Sequence, residues 1–272
     1  MELGVAIPMI VLLLIVGVVA GILAGLLGVG GGIVIVPALY HVFAVLDIDP
    51  AIQMHLAVGT SLATIIPTSV RSVRSHARRG AVDWILLRRW LPALLAGVVL
   101  GIVIAAFLDH RGLALVFASV ASVVALHMGF GRAERTLAPG LPEGRSQAAL
   151  PFTIGGISVM MGIGGGTLGV PTLTLFSYPI HRAVATAAGF GLIIAVPGTI
   201  GFVWSGWAAP GLPAFSAGYV NLLAFVIIVP TTLLAVPLGV KLAHWLKPQP
   251  LRIAFALFLG ITALRMFVDL FG

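Results

Sequence analysis

A glycine-rich break inside an apolar run occurs twice in this chain, and no other feature limits the available folds as much. Gly28-Val29-Gly30-Gly31-Gly32 is followed by Pro37, and Gly162-Ile163-Gly164-Gly165-Gly166 by Pro171. Superposed at one offset, residues 21–37 and 155–171 agree at Gly21/Gly155, Gly28/Gly162, the three triplet glycines, Val36/Val170 and Pro37/Pro171. Consecutive glycines are poor helix formers, so each copy ends one helix and begins another in apolar surroundings.

The other apolar runs include Pro92–Leu108, Leu113–Met128, Val184–Val203, Val220–Val240 and Ile253–Leu270, close to the roughly 20 residues a membrane-spanning helix needs. Charged residues are 8% of the chain and hydrophobic ones 60%, whereas a soluble domain carries about 25% charged residues. These features predict an all-α polytopic membrane protein; the short alternating segments of a spanning β-barrel are missing. The first apolar segment lacks a basic leader and a small-residue cleavage site, so it is expected to be retained. There are no cysteines, which excludes disulfides and thiolate metal sites, and no metal or cofactor is expected. The net charge of +7 resides mainly in arginines between apolar runs, a sign of membrane orientation rather than of nucleic-acid binding.

Residues 132–147 hold Glu134, Pro139, Gly140, Pro142, Glu143 and Arg145. This long, polar, turn-rich segment is expected to be a cytoplasmic linker between two transmembrane repeats, 1–131 and 148–272. Landmarks recur across it. Pro92, Leu95, Leu100 and Gly101 fall on Pro230, Leu233, Leu238 and Gly239, and Ala57–Thr60 and Ala183–Thr186 share Ala-Val-x-Thr ahead of Pro67 and Pro197. A helix is expected from about Leu56 to Val70, ending in the basic cluster Arg71, Arg74, Arg78 and Arg79.

The 15 Lys and Arg bear on topology, because basic loops stay cytoplasmic. If each glycine segment crosses once, Arg111, Arg182, Lys241, Lys247 and Arg252 fall outside; if each returns as a helical hairpin, only Arg111 and Arg265 do. The hairpin is favoured, and it makes the halves inverted repeats, each a glycine-broken hairpin plus three transmembrane helices. In the second copy the arms Ala148–Met161 and Thr167–Tyr178 have 14 and 12 residues, about 20 Å each at 1.5 Å per residue, too short to span. In the first copy Pro8–Leu27 is nearly long enough to cross alone, which leaves a single crossing open there. Trp84, Trp90, Trp204, Trp207 and Trp245 are expected near the membrane interfaces, as are His55 and His127.

Non-helical backbone at membrane depth is tolerated only where protein covers it or a polar cavity faces it. Glycines let backbone approach a ligand closely, and a helix starting at Gly32 or Gly166 presents unpaired N–H groups and the positive end of its dipole, an anion site. The candidate substrate-binding residues are therefore Gly28, Gly30, Gly31, Gly32, Gly162, Gly164, Gly165 and Gly166, with hydroxyls from Thr60, Ser61, Thr167 and Thr186. Thr64 is a weaker candidate of the same kind. Pro37, Pro67, Pro171 and Pro197 are candidate hinges or gates. The same glycines could instead serve only close helix packing, and the hydroxyls could bond their own helices. No His-Glu-x-x-His, Gly-x-Ser-x-Gly or phosphate-loop motif occurs, so neither catalysis nor ATP hydrolysis is indicated.

The duplicated Gly-x-Gly-Gly-Gly-x-x-x-x-Pro, Ala57-Val58-Gly59-Thr60-Ser61 and the basic loop after them resemble the sulfite exporter family known as TauE/SafE, over essentially the whole chain. That resemblance implies a multi-pass protein of the bacterial cytoplasmic (inner) membrane that exports small sulfur-containing anions such as sulfite or organosulfonates. The second half departs from the pattern, with Ala185-Thr186-Ala187 where the first has Gly59-Thr60-Ser61. A passive anion channel and a non-transporting scaffold remain open alternatives. So do the coupling ion, proton or sodium, and a homodimer.

Overall fold

The structure, a computed structural model, describes residues 3–27, 31–130, 138, 140–142, 147–245 and 248–271. The first half comprises α1 (Leu3–Leu27), α2 (Gly32–Val45), α3 (Pro50–Ala77), α4 (Trp84–Phe107) and α5 (His110–Phe130). The second comprises α6 (Ala149–Met160), α7 (Gly166–Leu175), α8 (Ile180–Ser205), α9 (Leu222–Trp245) and α10 (Pro248–Phe271), with an antiparallel ribbon of β1 (Ser216–Ala217) and β2 (Val220–Asn221) before α9. Among the described residues, α1, α3, α4, α5, α8 and α9 contain stretches long and apolar enough to cross a membrane. Their outer faces carry exposed Ile15, Val99, Val103 and Leu234, as surfaces solvated by hydrocarbon require.

The helices begin where the sequence supplies caps. Asp49 accepts the Ala51 N–H at 2.9 Å with Pro50 in the first turn, and Asp83 accepts those of Ile85 and Leu86 at 3.1 and 2.9 Å, each satisfying amides that lack a partner within the helix. The Asp49 cap starts α3 six residues before the expected Leu56, and the helix runs on through Arg71 and Arg74 to Ala77. Helical hydrogen bonding continues past the end of the apolar run. Every residue from Ile52 to Ile65 is buried, so α3 is the central helix of the assembly.

The packing interleaves the halves. α1 packs on α9 and α6 on α4; α2 packs on α3 and α7 on α8; α3 crosses α8, and α5 pairs with α10. Exchanging the halves maps this set of pairs onto itself. After the second break, Ser177 Oγ, just past α7, donates to the Ala138 carbonyl at 3.0 Å, and Arg182 pairs with Asp83 at 3.0 Å. Its arms are helices of 12 and 10 residues. The first break has unequal arms of 25 and 14 residues.

Two interfacial expectations are corrected. Trp84, Trp204 and Trp207 are exposed, but Trp90 is only 1% exposed, because its indole stacks on Phe190 of α8 at 5.3 Å. The Trp245 side chain lies outside the described residues. His127 is exposed, whereas His55 is buried, its Nε2 3.0 Å from the Ala105 carbonyl and its ring 5.0 Å from that of Tyr219.

Candidate functional site

The two glycine breaks meet inside the protein. Gly162 has φ 64°, a left-handed conformation that glycine adopts without strain, and its carbonyl points at the first turn of α2. A Cβ on Gly32 would lie 2.5 Å from the Gly162 oxygen and 3.0 Å from Ile163 Cα, so only glycine permits this approach. Ser61 Oγ, from the middle of α3, donates to the same carbonyl at 2.7 Å. One side chain of the first half thus satisfies the broken backbone of the second.

The first turn of α7 starts from Gly165 and Gly166. Gly164 and Gly165 carbonyls accept the Thr167 and Gly169 N–H groups at 3.4 and 2.7 Å. Thr167 is 3% exposed, and its hydroxyl has no hydrogen-bond partner among the described residues. A buried hydroxyl without a partner costs free energy, and here it stands at a helix N-terminus, where an anion is electrostatically favoured.

Thr60 and Thr186 are engaged elsewhere, in matching roles. Thr60 Oγ1 on α3 accepts the backbone N–H of Asn221 at 2.8 Å, and Thr186 Oγ1 on α8 accepts that of Asp83 at 3.1 Å. Asn221 and Asp83 are the residues before α9 and α4, and each also accepts an N–H three residues on, from Ala224 and Leu86 at 2.9 Å. The shared Ala-Val-x-Thr therefore ties each half to a helix start in the other. Around Asp83, Tyr178 donates its hydroxyl to the carboxylate and Arg182 adds an ion pair. Burial alone would raise the Asp83 pKa, but the Tyr178 and backbone hydrogen bonds and the Arg182 charge hold it below the ordinary value. Burial, then the Asp83 carboxylate, push the Tyr178 phenol up to about 12.

The profile of the sulfite exporter TauE/SafE family matches residues 13–266. The chain belongs to the TauE/SafE family. A probable membrane transporter protein of Haemophilus influenzae is 34% identical over 95% of this chain and 98% of its own length. One of Methanocaldococcus jannaschii is 28% identical over 94% of each chain, and a third, YunE of Bacillus subtilis, is 27% identical over 72% of this chain and 79% of its own. No solved structure matches. The sequence relatives and the apolar helices together make this a multi-pass membrane transporter of the TauE/SafE family.

Within this TauE/SafE chain, Gly31, Gly32, Gly162, Gly164, Gly165 and Gly166 are all buried, with Ser61 and Thr167 beside the breaks. Gly28 and Gly30 lie outside the described residues. Thr64 Oγ1 donates to the Ser61 carbonyl one turn back at 2.7 Å, the local bonding open to any helical hydroxyl. Pro37, Pro67, Pro171 and Pro197 sit inside α2, α3, α7 and α8. Sequence reasoning missed Ser158, whose buried hydroxyl also lacks a partner among the described residues and whose carbonyl accepts the Ile163 N–H at 3.0 Å. Nothing in an apolar stretch marks that serine. It also missed Asp83 and Asn221, although the offset that aligns Pro92 with Pro230 aligns these two as well.

Proposed function

We propose that the protein is a secondary transporter, working as an exporter, of small sulfur-containing oxyanions such as sulfite or organosulfonates. The anion binds where the glycine breaks meet, held by the first-turn amides of α2 and α7 and by the hydroxyl of Thr167, while Ser61 fixes the Gly162 carbonyl beside them. The observation that carries this reading is the buried Thr167 hydroxyl at the head of α7, which has no partner among the described residues. Apolar packing gives no reason to place a hydroxyl there, and an oxyanion accepts its hydrogen bond together with those of the adjacent amides.

The halves act as inverted repeats around this site, near the bilayer midplane, the arrangement in which discontinuous helices hold substrate in repeat transporters. The return of the second hairpin beside Ala138 and the half-exchanging packing support that topology. The prolines within α3 and α8 provide the bends about which these crossing helices reorient. Access then alternates between the two faces as α3 and α8 move against the hairpins.

The test is Thr167→Val, which keeps the shape and removes the hydroxyl. Purified variant is expected to melt at or above the wild-type temperature, since an unsatisfied buried group is lost. Its affinity for the best ligand among sulfite, sulfate, thiosulfate, sulfoacetate and phosphate is expected to fall about tenfold or more, the value of a hydrogen bond to a charged group. Unchanged affinity sinks the site. If no member of that panel binds folded wild-type protein, the close packing of Gly32 and Gly165 favours a role for the glycines in helix packing alone. Uptake into proteoliposomes that only ever follows the electrochemical gradient marks a channel instead.

A further inference from the structure

The end of α3 and the second half of α9 leave a cleft of about 770 Å³ with walls of two kinds. Arg71 and Arg74 from α3, Arg78 and Arg79 just after it and Lys241 from α9 are cationic, while Val70, Leu233 and Val236 are apolar. Arg71, Arg74 and Arg78 recur at the spacing of one helix face, so their like charges repel along it. Among the described residues no carboxylate lines the cleft beside Arg71, Arg74 and Arg78, and the ion pair described above, Arg182 with Asp83, lies outside it. An anion placed between this stripe and Lys241 relieves the repulsion.

The apolar wall narrows the class of anion. A small hydrated oxyanion uses the charges and leaves Val70 and Leu233 wet, whereas an amphiphile uses both walls. Leu234 and Leu238, which are 74% and 53% exposed, directly follow the lining residues Leu233 and Pro237 on α9, so exposed apolar surface adjoins the charged one. Basic clefts between transmembrane helices at the cytoplasmic boundary suit phosphate-bearing head groups.

We propose that this cleft binds an anionic phospholipid, with its phosphodiester among Arg71, Arg74 and Lys241 and its acyl chain along Val70 and Leu233. The site is separate from the glycine breaks and needs no transported substrate, so its test stands apart from that of transport. Purified protein is equilibrated with mixed phosphatidylglycerol and phosphatidylcholine, and retained lipid is counted by native mass spectrometry. The wild type is expected to retain phosphatidylglycerol selectively. The variant Arg71→Gln/Arg74→Gln/Lys241→Gln is expected to lose that lipid at least about tenfold, since each basic residue near an anionic surface contributes about 1 kcal/mol, or about fivefold. Arg88→Gln/Arg89→Gln/Arg111→Gln removes the same charge outside the cleft and is expected to retain it. Equal loss in this control, no headgroup preference in the wild type, or displacement of the lipid by equimolar inorganic phosphate overturns the proposal. If the triple variant does not fold, Lys241→Gln alone is expected to weaken retention about fivefold, and wild-type retention in that variant overturns it equally.

Discussion

Gly165 and Thr167 lie two residues apart at the head of α7 and answer to different demands. A methyl added at Gly165 would lie 2.3 Å from Phe190 Cβ, so Gly165→Ala is expected to destabilise the protein by about 1–3 kcal/mol through overpacking, read as a lower melting temperature in detergent. Loss of transport in that variant therefore cannot distinguish an anion site from tight packing, and the hydroxyl of Thr167 is the better probe. Tyr178 gives a pH signature. Its folded-state pKa of about 12 lies above the ordinary phenol value of 10.0, so the stability it contributes is full below the unfolded pKa and is lost as pH rises through the folded one. Wild-type protein is expected to lose its stability advantage over Tyr178→Phe between about pH 10 and pH 12. A difference in melting temperature that stays constant across that window counts against the Asp83 hydrogen bond. At this scale the sequence exposed glycines and prolines clearly, but a hydroxyl's role depends on what lies opposite. Ser61 and Thr60 are adjacent in the chain, yet one donates to a broken backbone and the other accepts from a helix start.

Elements were legible in proportion to how local their causes are. Apolar length and Asp or Pro at helix starts are local, and the five helical elements of each half follow from them. The start of α3 was misread because a cap outweighs the polarity of its first turns, and Trp90 because its partner Phe190 is on another helix. The two cross-half ties are non-local, with Thr60 and Asn221 161 positions apart and Thr186 and Asp83 103 positions apart. Thr60→Val and Thr186→Val each leave a backbone N–H short of its acceptor. Each is expected to cost about 1–3 kcal/mol, and the double variant close to the sum, because the ties share no residue. Thermal melts of the three variants check this, and a wild-type melting temperature in either single variant refutes the assigned role.

For the whole molecule, the absence of cysteine is an experimental advantage. Single substitutions Arg78→Cys and His181→Cys are expected to react with an impermeant maleimide from one side of the membrane, and Ala51→Cys and Ala214→Cys from the other. Labelling of residue 181 from the side of residue 51 would replace the returning hairpin with a single crossing. Charge bias already pointed to the hairpin in the sequence, because many loops contribute to one sum. The duplication of the break was legible in the sequence, but the residues at the junction were not, since the Gly162 carbonyl is completed by a serine 101 positions earlier.

The reciprocal ties also set an order of assembly. When the ribosome has delivered the first half, Thr60 has no Asn221 to receive and Asp83 has no Thr186 to give to. Membrane insertion of the first half therefore precedes its consolidation, and the span-length helices α1, α3, α4 and α5 wait in the bilayer until α8 and the start of α9 arrive. A chain cut within residues 132–147 is complete only when both pieces share one membrane, and neither piece is a smaller version of the protein.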